Sequence, residues 1–363
     1  MSLLNKLTII IPSYNRPNYI KRSMLFWNNL DVAVYILDGS IIPLSNSFLA
    51  ILNKNIIYKH ATKSFIERIK LASSLVNTKY VILLSDDEFY IPSALVKCIE
   101  ELENNRDLIS CGGRCLGFNP IQNSIQWQMK YTAQRGYKII NDNPLERISS
   151  HMKNYTPSII YSITRTEFWK KTITSITDFK YPDPGTTELQ LELVFSFFGK
   201  SKILPIIMWL RSNENPPHDT RKEISFHDWW VNKQYMVLKQ KLIDELADIL
   251  YDKNSTINKL NLKIGIENAF NLYIEWEKNN GTFIDKRSSI LKFLGKSVFK
   301  IFKKIAIITY IKSKIDLKIL KYKLNKENVF LNSTEFNFIE DLILNFHNKK
   351  NSKNKIMNFH SKI

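Results

Sequence analysis

Cysteine is nearly absent from this chain. Cys98, Cys111 and Cys115 are the only three in 363 residues, a sparse and odd set that excludes a disulfide framework and favours a reducing compartment. The pair at 111 and 115 has no second pair at zinc-ligand spacing, so structural zinc is not expected. Long apolar runs are missing as well. The uncharged stretches 39–53 and 115–129 are interrupted by Pro, Asn, Gln and Gly, which argues against a transmembrane helix. The first residues run into a strand pattern without a charged leader or a small-residue cleavage site, so no secretory signal is read there. No fixed-period repeat occurs. These absences together place the chain in the cytoplasm, free to touch a membrane from that side.

What is present is apolar surface and positive charge. A hydrophobic content of 44% with 12% aromatics supplies a real core and excludes wholesale disorder. Against 34 acidic residues stand 52 Lys and Arg, a formal charge of +18. The excess is uneven: residues 1–215 carry +7 and the remainder +11. Residues 292–323 alone hold ten lysines and one acid, Asp316. A cationic stretch of that density points to an anionic surface as partner.

The first hundred residues alternate strand and helix patterns. LTIIIP (7–12), VAVYILD (32–38), a run at 55–59 and KYVILLS (79–85) read as strands. Helical patterns lie between them at 17–30, 44–53 and 64–76, and Pro92 opens another. Continuous apolar strands separated by helices require a parallel sheet covered on both faces. The fold class is therefore α/β, doubly wound and mostly parallel. From 108 to 163 strand-like pieces follow at 108–116, 124–131 and 157–163. Helices at 165–174 and 186–198 precede a strand at 203–210. After Pro216 and Pro217 the strand signals fade and 225–280 reads as helical. The expected organisation is a domain over 1–215, a helical region over 216–348 and a disordered tail over 349–363.

In open α/β sheets ligands bind beyond the carboxyl ends of the strands, and three polar clusters fall there. They are Ser13, Tyr14, Asn15 and Arg16; Asp38, Gly39 and Ser40; and Ser85, Asp86, Asp87 and Glu88. Three consecutive acids leaving a buried strand repel one another unless a cation compensates them. Such oxygen ligands suit Mg²⁺ or Mn²⁺ holding a diphosphate. The same residues also read as an acidic turn ahead of the helix at Pro92, and Asp38 alone as a turn residue.

Taken in order, TIIIPSYNRP (8–17), YILDGS (35–40), KYVILLSDDEFYIPSAL (79–95) and TTELQLELVFSFFGK (186–200) resemble the family-2-like glycosyltransferases of the GT-A fold. The resemblance spans about residues 5–215. It implies a nucleotide diphosphate sugar as donor, with Pro12, Tyr14, Arg16 and Asp38 in the nucleotide pocket. Arg68 is similar to a basic residue that meets base or phosphate in relatives; otherwise it is a surface arginine paired with Glu67. The acidic cluster resembles a D-x-D motif with Ser85 in place of the usual first Asp. That implies Asp87 as chief ligand of a divalent metal, with Asp86 and Glu88 in support and Asp86 also near the donor; Asp86-x-Glu88 is the alternative register of the motif.

The resemblance further implies an inverting transfer with a carboxylate general base at the start of a helix, before a Gly that ends it. Gly199 fits that end and Glu188 lies eleven residues earlier, with Glu192 one turn on and on the same face. Alternatively, Glu188 only completes a helix N-terminus. Arg211 and His218, after the strand at 203–210, are similar to a diphosphate-binding arginine and a third metal ligand. Arg165 resembles an arginine ahead of the acceptor-side helix, with surface pairing as the alternative. Trp229 and Trp230 read as core.

The basic stretch is legible without the family. Lys292, Lys296, Lys300 and Lys303 fall on one side of a helical wheel, and Leu294, Val298, Ile301, Phe302, Ile305 and Ile308 on the other. That pattern fits an amphipathic helix on anionic headgroups, or a helix packed on the protein with its lysines in water. The expected acceptor is a glycan or a lipid-linked glycan at a membrane's cytosolic face. Nucleic acid is not expected as partner, since no recognition signature is present. A nucleotidyltransferase would need a Gly-rich phosphate loop that SYNRP lacks. A non-catalytic protein with a degenerate transferase domain stands as the other alternative.

Overall fold

A computed structural model describes residues 2–121, 123–176, 179, 181–215, 224–252, 257–280 and 316–347. The chain opens with β1 (Leu7–Ser13), α1 (Pro17–Trp27), β2 (Ala33–Asp38), α2 (Asn46–Leu49), β3 (Ile56–His60), α3 (Phe65–Leu75) and β4 (Tyr80–Leu83). It continues through β5 (Phe89–Tyr90), α4 (Pro92–Asn104), β6 (Leu108–Ile121), β7 (Ser124–Met129), β8 (Lys138–Ile139), α5 (Pro144–Lys153) and β9 (Ile163–Arg165). Then come α6 (Thr166–Ser175), α7 (Thr186–Phe198), β10 (Lys200–Ser212), α8 (Phe226–Val231), α9 (Met236–Leu250) and α10 (Lys259–Asn280). The last two described helices are α11 (316–326) and α12 (Ser333–His347).

One sheet runs in the order β3-β2-β1-β4-β9-β6-β10-β5. Its first four strands are parallel, as are β6 and β10, while β9 pairs antiparallel with both β4 and β6. This is the α/β architecture expected from the sequence. Ile9 and Ile11 enter one core and Ile10 another, because successive side chains of a strand point to opposite faces and both faces are covered. Strand order reverses between β1 and β4. Their carboxyl ends therefore open the crevice in which such sheets place ligands.

Local chemistry sets the helix starts. Pro17 and Pro92 stand at first helical positions, where a missing N–H costs nothing. Ser64 and Glu67 close a reciprocal capping box on α3. The strand expected at 157–163 forms only as β9. Its upstream amides at Ser158, Ile159 and Ile160 donate instead to the Glu192 carboxylate, so they are lost to a ladder. The expected helix at 44–53 shortens to α2.

Beyond 215 the chain does two things. Helices α8 to α10 pack with α5 and α7 around a separate core that includes Trp229 and Trp230. The chain from α11 to α12 returns to the main core through Leu317, Leu320, Leu324, Phe336, Ile339 and Ile343. Phe330 joins β10, donating to Pro205 O and accepting from Ile207 N–H. The expected basic helix near 290–323 lies mostly outside the described residues, as does the tail. Its described end, α11, buries its leucines while Lys318 and Lys323 face outward. No described helix is long and apolar enough to cross a membrane.

Candidate active site

The ends of β1 and β2 lie side by side, with Ser13 in register with Asp38. Asn15 follows at φ +55, a left-handed turn that asparagine tolerates, and its N–H donates to Ser40 Oγ at 2.8 Å. That turn sends Arg16 toward the end of β4 and leaves Tyr14 exposed. Pro12, within β1, is half-buried. Asp38 is buried and accepts from Ser40 N–H (2.9 Å), Ser40 O–H (2.5 Å) and Tyr58 O–H (2.6 Å). Its carboxylate shapes the β2 turn.

Arg68 is not a surface residue paired with Glu67. It is buried beneath the two strand ends, donating to Ser13 O at 2.5 Å, Leu37 O at 2.7 Å and Lys63 O at 3.2 Å. Gly39 is required above it, since a Cβ there would come within 2.7 Å of the Arg68 Cζ.

The acids after β4 are each engaged differently. Asp86 accepts from Ser13 Oγ at 2.6 Å, joining the two strands at the reversal point. Arg16 Nη1 lies 3.2 Å from both Asp86 Oδ1 and Asp87 Oδ2. Asn215 donates to the same Asp87 oxygen at 3.0 Å. Glu88 turns inward and accepts from Trp209 Nε1 at 2.7 Å. Burial, with the Asp87 charge adding, pushes the Asp86 carboxyl up to about 6 and that of Glu88 to about 8. Below them, buried Arg22 donates to Asp87 O at 2.8 Å.

Glu188 sits half-buried in the first turn of α7. Tyr155 O–H donates to its Oε1 at 2.8 Å, and Oε2 has no partner among the described residues. Burial raises its pKa; the Tyr155 hydrogen bond opposes the shift and the Glu192 charge adds to it. Trp209 joins the two sides, stacking on Tyr131 (5.6 Å) and Tyr161 (4.3 Å) while holding Glu88. The Arg211 guanidinium lies 5.5 Å from the Tyr131 ring, and its charge acts on both Glu88 and Glu188.

Residues 8–176 match the family model described as Glycosyl transferase family 2. The chain carries a family 2 glycosyltransferase domain. Among solved structures, the fragment 1–349 of S. aureus TarS in complex with UDP-GlcNAc is similar at a TM-score of 0.51 and 12% identity, over 78% of this chain and 77% of that one. Another structure of S. aureus TarS 1–349 gives 0.48 and 11%, over 78% and 76%. At such identity the likeness concerns the fold. No curated protein sequence matches the chain.

In this glycosyltransferase the expected pair Glu188 and Glu192 does not share a role. Glu192 is fully buried, its oxygens taken by the Ser158, Ile159 and Ile160 amides and 3.0 Å from His151 Nε2. It holds the backbone loop between Tyr155 and Tyr161. Arg165 donates to the carbonyls of Leu102, Asn105 and Leu108 and is structural as well. His218 lies outside the described residues.

The acidic turn, as arranged, does not fit a divalent metal. Glu88 faces the core, held by Trp209, and Asp86 and Asp87 already share one guanidinium. No group of three or more His, Cys, Asp or Glu side chains is placed to hold a metal among the described residues. Several site residues escaped the sequence reading. Trp209 lay inside a run read only as a strand, although its spacing of two from Arg211 puts both on one strand face. Tyr131, Tyr155, Tyr161 and Arg22 carry no local signature.

Proposed function

We propose that the enzyme transfers a sugar from a nucleotide diphosphate sugar to a hydroxyl of a glycan or lipid-linked glycan, with inversion, using Glu188 as general base. The observation that carries this reading is Glu188 itself: a carboxylate with a raised pKa, one oxygen oriented by Tyr155 and the other without a partner among the described residues. The acceptor oxygen attacks the anomeric carbon as its proton passes to Glu188 Oε2. The bond from that carbon to the diphosphate oxygen breaks, and its electron pair leaves with the nucleoside diphosphate. Pro12, Tyr14 and the ends of β1 and β2 receive the nucleotide, Tyr14 offering an exposed ring face. Arg211, whose charge acts on both Glu88 and Glu188, meets diphosphate or acceptor charge. No step is assigned to a metal, because the acidic turn does not fit one.

The fold shared with TarS bound to UDP-GlcNAc supports a nucleotide-sugar donor. The ten lysines of residues 292–323 support contact with an anionic membrane at the cytosolic face. A panel of nucleotide sugars, scored by thermal stabilisation and by release of nucleoside diphosphate, tests the reading. At least one donor should stabilise the protein and turn over; if none does, the assignment falls.

A further inference from the structure

We propose that Arg16 is the resident cation of this site, doing for Asp86, Asp87 and the donor diphosphate what a divalent metal would otherwise do. The inference rests on the glycosyltransfer reading for the identity of the diphosphate, and on the geometry of the acidic turn for the rest.

A guanidinium offers five N–H donors in a fixed fork. Here Nη1 alone is spent on both carboxylates, at 3.2 Å each. Nη2 and Nε have no partner among the described residues. The side chain is 16% exposed, so it is mostly desolvated yet open on one side. One edge of the fork therefore neutralises the acids while the other edge remains for phosphate oxygens, which guanidinium binds by charge-assisted hydrogen bonds. The left-handed turn at Asn15 and the helix start at Pro17 fix the backbone on either side of Arg16. Position and charge are set before any ligand arrives. A divalent cation entering between Asp86 and Asp87 would have to displace that guanidinium and meet its repulsion.

As the anomeric carbon separates from the diphosphate, one further negative charge develops on the leaving oxygens. Arg16 stands where that charge can be received without any co-reactant, and the proton and electron pair go where the transfer reaction sends them.

The test compares wild type, R16A and R16K by paramagnetic resonance of Mn²⁺ alone, then by UDP binding with and without EDTA. Wild type and R16K should leave millimolar Mn²⁺ free, whereas R16A should take it up, and D87N added to R16A should abolish that uptake. UDP binding to wild type should survive EDTA, and R16A without metal should bind it about 10- to 100-fold more weakly, the loss of a charge-assisted contact. Mn²⁺ uptake by wild type equal to that of R16A, or loss of UDP binding in EDTA, overturns the proposal. If wild type bound no nucleotide at all, the glycosyltransfer reading would fail, while the Mn²⁺ comparison, which needs no nucleotide, would still decide on Arg16.

Discussion

Arg22 and Glu214 form an ion pair of 3.0 Å in which both side chains are almost wholly withdrawn from solvent. The guanidinium also packs against the rings of Tyr19, Phe89 and Phe346, and His347 Nε2 lies 3.1 Å from the same Glu214 oxygen. Phe346 and His347 end α12, so this helix reaches the floor of the acidic turn through this pair. Removing one partner strands a buried charge. Arg22→Ala should cost about 3–5 kcal/mol, measured by urea denaturation, whereas the double change R22M/E214L should recover most of that loss. Equal losses for single and double variants would refute the pairing as the cause.

For Glu188 the raised pKa has two consequences with opposite value. A base that holds its proton to higher pH works better as pH rises, so kcat/KM should climb through an inflection above the ordinary carboxylate range. Folding responds the other way: the native state keeps a proton that the unfolded chain has released, so this group's contribution falls as pH rises from the unfolded value through the folded one. Glu188→Gln should lose about 10²-fold or more in turnover while melting higher than wild type at pH 8 and no higher at pH 4. A variant that keeps activity would remove Glu188 from the mechanism.

Gly39 and Arg68 make a steric prediction. With the guanidinium tip held by three backbone carbonyls, Gly39→Ala cannot be absorbed by a swing of the side chain. It should destabilise by about 1–3 kcal/mol, as overpacking does, and weaken nucleotide binding at the β1 and β2 ends. If Arg68→Ala restores stability to the Gly39→Ala background, the clash is confirmed; additive losses would argue against it.

Glu192 should behave as an anchor. Glu192→Ala leaves the amides of Ser158, Ile159 and Ile160 without their acceptor in a buried setting, each worth about 1–3 kcal/mol. Hydrogen exchange at those amides should accelerate well ahead of global unfolding, and turnover should fall along with it because Tyr155 and Tyr161 flank the loop. Unchanged protection there would mean that the carboxylate does not hold the loop.

Much of the fold was legible because it rests on local rules. Apolar runs such as LTIIIP and YVIL report buried parallel strands, and Pro17, Pro92 and the Ser64–Glu67 box report helix starts. Those signals depend on neighbours within a few residues, which is why they survive in a single sequence. A strand was legible near β9, at 157–163, but its shortening to three residues and its antiparallel place between β4 and β6 were not, since the amides of Ser158, Ile159 and Ile160 are taken by Glu192, a residue some thirty positions away.

By itself, then, the sequence determined the α/β rhythm, the polar strand ends at Ser13, Asp38 and Asp86, and a lysine excess concentrated late in the chain. Only the tertiary structure decided what each charge does. Glu188 and Glu192 are one helical turn apart and chemically alike, yet one is half-buried with a single hydrogen bond from Tyr155 and the other is buried under three amides. Arg16 and Asp87 are separated by 71 positions and meet at 3.2 Å. Role follows from burial and partner, and neither is a property of residues close together in the chain.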